Sequence, residues 1–450
     1  MVKEIIKQMI LDFQKQDVEK FVRRDSDFYR IEKKANIFIG VRRCGKSTLM
    51  TQIMSDLIKN GVKRENILFM NFFDDRVAEL KRTGPALVTD VYFSLFPEKK
   101  GVEKIYCFFD EIQETENWEM FVERILRTEL CEIYITGSSA KMLSKEIATQ
   151  MRGRSLSYEL FPFSFKEFLS FKKIPADKTT TKEKMILAKA FEEYFEKGGF
   201  PETLDLARNE RIRIHQEYFR SIIFHDIVER FNVSNPQAVI NLANRLLTSV
   251  SSLYSINRLH EYLKSIGFKT AKDFVSTALG WFEDCYFLFS VQIFDRSFTK
   301  RNVNLKKIYC VDHGMADSID PNVSEKKGYL LENLVFLTIR RSSSAIYYYK
   351  TGSGKEVDFC WIDRTGKKNL VQVSFDMNDE KTKKREVSAL FEAMGEINEK
   401  NATLVTMNES GVLELEDRTI RIVPAWEYLI KFEYSEKSVF QINDFMLGGD

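Results

Sequence analysis

Four residues near the start of the chain match the phosphate-binding pattern G-x-x-x-x-G-K-[ST]. They are Gly40, Gly45, Lys46 and Ser47. Glycines at these places let backbone N–H groups turn towards a β-phosphate, the lysine reaches the β- and γ-phosphates, and the hydroxyl is placed to ligate Mg²⁺. The spacing therefore predicts a site for a nucleoside triphosphate and its magnesium ion.

The residues around the loop favour the same interpretation. The apolar run 35–39 predicts a buried strand before the loop, and apolar residues at helical spacing over 47–58 predict a helix after it. We expect Arg42 and Arg43 to contact phosphates or close the site. The predicted nucleotide-binding set is Gly40, Arg42, Arg43, Cys44, Gly45, Lys46, Ser47 and Thr48.

Two adjacent acids follow a second apolar run, at 105–109. Asp110 is predicted to hold the magnesium ion together with Ser47, and Glu111 to polarise the attacking water. Two solvated acids in a turn are the alternative. A buried strand that ends in an acid pair, downstream of a phosphate loop, favours the catalytic interpretation.

Two further positions carry weaker predictions. Ser138, after the apolar run 132–136, is our choice to sense the γ-phosphate, with Thr136 second, although a plain turn explains these residues almost as well. Either Arg152 or Arg154, at a glycine turn, could neutralise charge in the transition state, within its own chain or from a neighbouring subunit of a homo-oligomer, and Arg154 is our choice. A surface arginine in a β-turn is the alternative.

Composition limits the class of protein. A chain of 450 residues, 44% of them hydrophobic, is long enough for several cores. Its 68 Lys and Arg against 66 Asp and Glu give a formal net charge of +2, which neither demands nor excludes nucleic acid. Six scattered cysteines indicate reduced thiols, and no apolar stretch is long enough to span a membrane. We expect a cytoplasmic protein.

The pattern of apolar residues divides the chain. Strand-like and helix-like runs alternate in the first part, which predicts an α/β domain with a parallel sheet. Helical spacing then prevails to about residue 280, and short strands return after residue 307. The predicted domains are 1–163 (ATPase), 164–235 (helical lid), 236–303 (winged-helix-like) and 304–450 (α/β).

These motifs resemble the AAA+ class of P-loop ATPases, in particular a prokaryotic branch whose loop reads G-x-R-R-x-G-K-S-T. The resemblance covers most of the chain and is carried by 109–113, 136–139, Gly153-Arg154, 161–168 (similar to P-L-S-F-x-E-F) and Gly198-Gly-Phe-Pro201. It implies an ATPase that uses ATP and Mg²⁺. Similar proteins place a winged helix after the lid, and such a module can enter a major groove. A helical packing domain that never meets DNA is the alternative.

The last domain carries Glu332, Asp358 and Gln372 in an order that resembles the restriction-endonuclease-like fold. Active members of that fold hold Mg²⁺ with acids and use a lysine. Here glutamine replaces the third acid, and Ser374 stands where the lysine is expected. The sequence therefore predicts a vestigial nuclease site, with nuclease activity doubtful.

The functional prediction is an ATP-hydrolysing switch or remodeller that acts with DNA. A nucleotide-controlled module that binds a protein partner, without nucleic acid, is the first alternative. A metal-dependent nuclease gated by ATP is the second.

Overall fold

We describe a computed structural model of the chain, which covers residues 2–16, 21–25, 28–138, 149–177, 180–320 and 326–432. The chain divides into two compact units. The first contains Met1–Phe161 with Asp284–Tyr286, and the second contains Pro162–Glu283 with Phe287–Asp450. The predicted boundaries between the four domains stay a prediction.

The first unit is built on a parallel sheet of five strands. The strands are β1 (Ala35–Ile39), β2 (Ile67–Asn71), β3 (Ile105–Asp110), β4 (Cys131–Gly137) and β5 (Ser155–Glu159). They lie in the order β2-β3-β4-β1-β5. Because the strands are parallel, their carboxyl ends meet at one edge, where loops can place functional side chains. The phosphate loop follows β1, and the acid pair lies at the end of β3.

Helices cover this sheet with amphipathic faces. They are α1 (Val2–Lys15), α2 (Lys46–Lys59), α3 (Leu80–Thr83), α4 (Ala86–Leu95) and α5 (Trp118–Thr128). In α5 the residues Trp118, Phe121, Val122 and Ile125 recur at helical spacing and are buried. The opposite face of the helix is charged. Burial of one apolar stripe therefore accounts for the helix better than the intrinsic propensity of its residues does.

The second unit begins with helices. The helices of this unit are α6 (Phe165–Phe171), α7 (Thr181–Lys197), α8 (Arg208–Ser221), α9 (Pro236–Leu247), α10 (Ile256–Ser265), α11 (Lys272–Asp284), α12 (Phe298–Val303), α13 (His313–Ile319), α14 (Lys327–Arg340) and α15 (Glu380–Ile397). A capping box formed by Ser164 and Glu167 starts α6, as the spacing of these two residues in the sequence favours. The helix α8 continues as a π-helix over Ile222–Glu229.

The strands of the second unit form one mixed sheet. They are β6 (Leu253–Tyr254), β7 (Leu288–Ile293), β8 (Lys306–Cys310), β9 (Ile346–Lys350), β10 (Glu356–Ile362), β11 (Lys368–Ser374), β12 (Asn401–Thr406), β13 (Gly411–Leu415) and β14 (Arg418–Pro424). Their order is β13-β14-β12-β11-β10-β9-β7-β8-β6. A core under β10, β11 and α15 contains Val357, Leu370, Leu390 and Met394.

The middle of the chain is helical except for the short strand β6. This strand pairs with β8, which lies between β6 and β7 in an antiparallel arrangement. Leu253 of β6 pairs with Lys307, which lies more than fifty positions later in the chain. A strand of two residues is also too short to show periodicity in the sequence, so local patterns do not predict β6. The observed order is helix α9, strand β6, helices α10 and α11, and then strands β7 and β8.

Candidate functional site

The phosphate loop is held between a buried strand and a helix. All five residues of β1 are buried, and α2 begins directly after Gly45. Gly40 lies so close to the chain after β5 that a Cβ atom would be 2.0 Å from the carbonyl oxygen of Leu160. Only glycine fits there, which is one reason for the first glycine of the motif.

Lys46 is buried at the mouth of this loop. Its Nζ donates hydrogen bonds to the carbonyl oxygens of Gly40 (3.0 Å) and Val41 (3.1 Å). The same atom lies 4.0 Å from Glu111 Oε1. The ammonium group is therefore bound mainly by neutral acceptors of the loop itself.

Asp110 and Ser47 meet beside the loop, although they lie on different elements. Ser47 Oγ donates to Asp110 Oδ2 at 2.9 Å, and Thr136 Oγ1 donates to Asp110 Oδ1. Burial raises the pKa of the Asp110 carboxyl above its ordinary value, and the hydrogen bond from Thr136 opposes that shift. A hydroxyl and a carboxylate in contact form an oxygen donor set of the kind that Mg²⁺ prefers.

Glu111 follows Asp110 in a left-handed conformation with φ of 53°. Its backbone N–H donates to Thr136 Oγ1 at 3.1 Å, and Gln113 Nε2 donates to Glu111 Oε2. The Glu111 side chain is 24% exposed. A non-glycine residue in this conformation is uncommon and turns the carboxylate away from the strand, where water can reach it.

The positions of the weaker candidates differ from one another. Thr136 is fully buried and bonds to both Asp110 and the backbone of Glu111, so it orients the acids. Ser138 is also buried and follows the end of β4. Its predicted role in sensing the γ-phosphate stays a prediction. The neighbouring Ser139, part of the same motif, lies outside the described residues.

The remaining loop residues surround the same position. Cys44 is buried, and burial raises the pKa of its thiol. Arg42 is half-buried, and Arg43 is exposed with φ of 65°. Thr48 lies in the first turn of α2. Their assignment to the nucleotide stays a prediction.

Arg154 lies apart from the other candidates. It immediately precedes β5, and its carbonyl accepts a hydrogen bond from Ala35 N, at the start of β1. The phosphate loop lies at the other end of β1, roughly 16 Å away for a strand of five residues. This position favours action from a neighbouring subunit over action within one chain, and the role of Arg154 stays a prediction.

Arg24 is a residue that the sequence interpretation missed. Its side chain is buried, and it donates from Nη1 to Cys44 O and from Nη2 to Phe161 O, the latter at 2.7 Å. Its backbone N–H donates to Gln52 Oε1 on α2 at 2.7 Å. Arg24 thus connects the segment before β1 with the phosphate loop. No motif marks it, because its partners are backbone carbonyls far along the chain.

A second group of polar residues gathers in the second unit. Glu332 on α14, Asp358 on β10 and Gln372 on β11 all line one pocket of about 710 Å³. The pocket also contains Lys307 from β8, another residue that the sequence interpretation missed. Lys307 Nζ lies 2.9 Å from Glu332 Oε1, 2.8 Å from Asp358 Oδ1 and 2.9 Å from Glu356 Oε1.

Charge dominates this pocket. Lys307 is almost fully buried, and although burial opposes its charged form, Asp358 and Glu332 outweigh that effect and raise the pKa of Lys307. Burial and the nearby Asp358 raise the pKa of Glu332 above its ordinary value, and the Lys307 ammonium opposes that rise. Arg385 and Glu386 form an ion pair at the same pocket. Ser374 lines the pocket as well, but the ammonium group in the pocket belongs to Lys307 on β8.

Family models match three parts of the chain. One described as an AAA domain matches residues 32–169. Two described as domains of unknown function match residues 188–326 and 327–428. Together with the parallel sheet, the first match confirms the predicted P-loop AAA-type ATPase domain, a nucleotide-binding fold.

Two relatives are similar over most of their length. An uncharacterized protein of Methanocaldococcus jannaschii is 33% identical over 425 residues, 92% of this chain and 92% of that protein. An uncharacterized protein of Haemophilus influenzae is 29% identical over 360 residues, 79% of this chain and 84% of that protein.

Solved structures share less with the chain. The Walker-type ATPase of Pyrococcus abyssi has a TM-score of 0.42 with 14% identity, covering 67% of this chain and 99% of that one. The Orc1 protein of Aeropyrum pernix, solved in complex with DNA, has a TM-score of 0.33 with 13% identity, covering 65% and 88%. Both scores are too low to support a functional argument.

Within the described residues, no helix is long and apolar enough to cross a membrane. Among those same residues, no group of three or more His, Cys, Asp or Glu side chains has an arrangement that could hold a metal ion. The six cysteines, all of which are described, form no disulfide.

Proposed function

The chain belongs to the same family as the Methanocaldococcus jannaschii protein, and we propose that its AAA domain binds Mg-ATP, hydrolyses it and so switches a contact with DNA. The observation that supports ATP hydrolysis is the convergence of a lysine, a hydroxyl and two acids. Lys46, Ser47, Asp110 and Glu111 come from the ends of β1 and β3 and meet at one edge of the sheet.

Each residue has a chemical role in this proposal. Lys46 exchanges the carbonyl oxygens of Gly40 and Val41 for phosphate oxygens when nucleotide binds. Ser47 and Asp110, already in contact, hold Mg²⁺, which neutralises phosphate charge when it is bound. The α2 amino terminus adds backbone N–H groups that favour an anion.

Glu111 is proposed as the base that orients the attacking water. It is the more exposed of the two acids, while Asp110 is buried between hydroxyls. The hydrogen bond from Gln113 and the nearby ammonium of Lys46 hold the Glu111 carboxylate before nucleotide binds. Withdrawal of Lys46 towards phosphate removes one of these interactions, which leaves the carboxylate more available to water.

Calorimetry of ATP binding to a Lys46→Met variant tests the nucleotide site. We expect the affinity to fall by about 100-fold or more, since the only ammonium that the motif supplies is lost. Lys59→Met, at the other end of the same helix, is the matched control and should bind normally. Equal ATP affinities of the wild type and Lys46→Met would exclude Lys46 as a ligand of the nucleotide phosphates.

We propose residues 236–310 as the part of the chain that contacts DNA. The observed order of three helices and three antiparallel strands is the order found in winged-helix modules, and the connection between β7 and β8 corresponds to the wing. Arg296 and Lys300 lie exposed in that connection, beside Phe298, which is 70% exposed. Over residues 236–303 eight Lys and Arg oppose five Asp and Glu, while the whole chain is nearly balanced.

Fluorescence anisotropy with a duplex DNA, at several salt concentrations and with or without ATP, tests this contact. We expect affinity to fall as salt rises, and an Arg296→Ala, Lys300→Ala variant to bind more weakly with a shallower salt dependence. Lys189→Ala, an exposed lysine on α7, is the control. Absence of salt-dependent binding would favour the protein-interaction alternative and would leave the ATPase proposal intact.

A further inference from the structure

The pocket of the second unit raises the question of whether it can hold the divalent cation of a nuclease. Such a cation needs carboxylate or carbonyl oxygens that share one position and are open to it. The predicted ligands were Glu332, Asp358 and Gln372. The structure does bring oxygens of the two acids to one position, but a side chain of the protein itself lies there.

That side chain is Lys307. Its Nζ lies 2.9 Å from Glu332 Oε1, 2.9 Å from Glu356 Oε1 and 2.8 Å from Asp358 Oδ1. An ammonium group has three N–H donors, so the three carboxylates are enough to satisfy it completely. Nothing in this arrangement leaves Lys307 a hydrogen to donate to a substrate phosphate.

Further hydrogen bonds engage the predicted ligands. Asp358 Oδ2 accepts a hydrogen bond from Val373 N at 3.0 Å, and Glu332 Oε1, which already contacts Lys307, accepts a second one from Tyr309 Oη at 2.7 Å. Gln372 Oε1 accepts from the backbone N–H of Asp358 at 3.0 Å. One of the two lone pairs of the Gln372 carbonyl is therefore already used within the protein.

Electrostatics opposes a metal ion as well. The Lys307 side chain is 3% exposed, so its charge depends on the three carboxylates rather than on water. A divalent cation would have to share the same oxygens with that ammonium or displace it into an apolar interior. Either arrangement leaves positive charges close together, or a buried charge without its partners.

We infer that the Lys307 ammonium occupies the cation position of this pocket, which makes it a metal-independent ion-pair junction and not a divalent-metal nuclease centre. The residues of the pocket do not fit the metal that a restriction-endonuclease-like fold implies. Serine occupies position 374, where the lysine of an active nuclease is expected. The pocket does contain an ammonium group, but it belongs to Lys307 on β8 and neutralises the acids.

The ion pairs of Lys307 link elements that lie far apart in the chain. Lys307 lies on β8, which pairs with β6 and β7 beside the helical middle. Its three partners lie on α14 and at the start of β10, in the part of the chain matched by a different family model. The buried charges therefore join two regions of the second unit that the family models separate.

Thermal unfolding with added Mn²⁺, without nucleotide, tests the inference. We expect the unfolding temperature of the wild type not to respond to Mn²⁺. In Lys307→Ala three carboxylates face a vacated position, so Mn²⁺ should raise the unfolding temperature, and the rise should disappear in Lys307→Ala, Asp358→Asn. A folded Lys307→Ala variant that does not respond to Mn²⁺ counts against the inference.

A second measurement does not depend on the folding of Lys307→Ala. The number of Mn²⁺ ions bound per chain is counted by electron paramagnetic resonance in the wild type and in Asp358→Asn, and we expect equal numbers. One additional ion in the wild type, or Mg²⁺-dependent cleavage of plasmid DNA that Asp358→Asn abolishes, would overturn the inference. The ATPase rate of the same preparations is measured in parallel. If that rate is intact, a failure of this inference does not affect the proposed nucleotide site.

Discussion

Two buried lysines, Lys46 in the first unit and Lys307 in the second, lie beside acids near strand ends, but their partners differ in kind. Lys46 contacts two neutral carbonyl oxygens at 3.0 and 3.1 Å and lies 4.0 Å from the carboxylate of Glu111. Lys307 contacts three carboxylates at 2.8 to 2.9 Å. A neutral acceptor is readily exchanged for a phosphate, whereas a set of carboxylates, two of them buried, is not.

The elements that carry the two lysines reinforce this difference. Lys46 begins α2 directly after a loop, and a loop can adjust when a ligand enters. Lys307 lies on β8, which has a paired strand on each side and so has little freedom to move. The same residue type beside acids therefore indicates a ligand site in one region and an internal ion pair in the other. Four variants test how far the contrast holds.

The largest effect is expected for Glu111→Gln. The variant should bind ATP but hydrolyse it about 10²–10⁴-fold more slowly, the usual contribution of a general base. Phosphate release under saturating ATP measures it. Glu114→Gln, at an acid three positions later that pairs with Lys81, is the matched control. If Glu111→Gln hydrolyses ATP as fast as the wild type, Glu111 is not the general base.

Lys307→Met should lower the free energy of unfolding by about 3–5 kcal/mol, because the buried carboxylates of Glu332 and Asp358 lose their partner. Denaturation followed by tryptophan fluorescence reports it, since three of the four tryptophans (Trp281, Trp361 and Trp426) belong to the second unit. The neighbouring Lys306→Met is the control. A loss no larger than that of the control would show that the ion pairs do not hold the junction.

Arg24→Gln should weaken ATP binding roughly 10-fold, the value of one hydrogen bond from a charged donor. The reason is that Arg24 holds the loop carbonyl of Cys44 and the carbonyl of Phe161. Arg23→Gln is the comparison, because Arg23 is exposed and pairs with Asp56 at the surface. Equal effects of the two substitutions would mean that the loop needs no support from the segment before β1.

His215 provides the smallest effect and a contrast with both lysines. Its ring contacts hydroxyl groups of Ser318 (2.8 Å) and Thr203 (3.3 Å), and burial lowers its pKa below the ordinary 6.5. The neutral form is thus favoured in the fold, so this contribution to stability is complete above pH 6.5 and is lost as pH falls through the lower folded value. His215→Gln should make the unfolding temperature fall less steeply as pH is lowered on the acid side, because the group that titrates is removed. The same pH profile in His215→Gln and in the wild type would contradict the lowered pKa of His215 in the folded protein.

Local patterns in the sequence predicted much of the first unit. The bounds of β1 agree with the apolar run 35–39, β3 is one residue longer than its run at one end, and β4 is one residue longer than its run at each end. The strand β5 was missed: Leu156 and Tyr158 alternate with polar residues, but the strand is only five residues long and half-buried, so its pattern is weak. In the second unit, the predicted return of short strands after residue 307 agrees with strands β8 to β14.

Local spacing by itself determined the loop and the acid pair, because their chemistry depends on residues that are neighbours in the chain or that close adjacent buried strands. Only the tertiary structure decided which arginine lies at the loop and what surrounds the C-terminal acids. Arg24 reaches the loop through contacts with carbonyls 20 and 137 positions away, and Lys307 meets acids 25 to 51 positions later. Arg154 lies beside the start of β1, at the end of that strand opposite the loop. Strand order and register set these distances, and no short pattern of residue types encodes them.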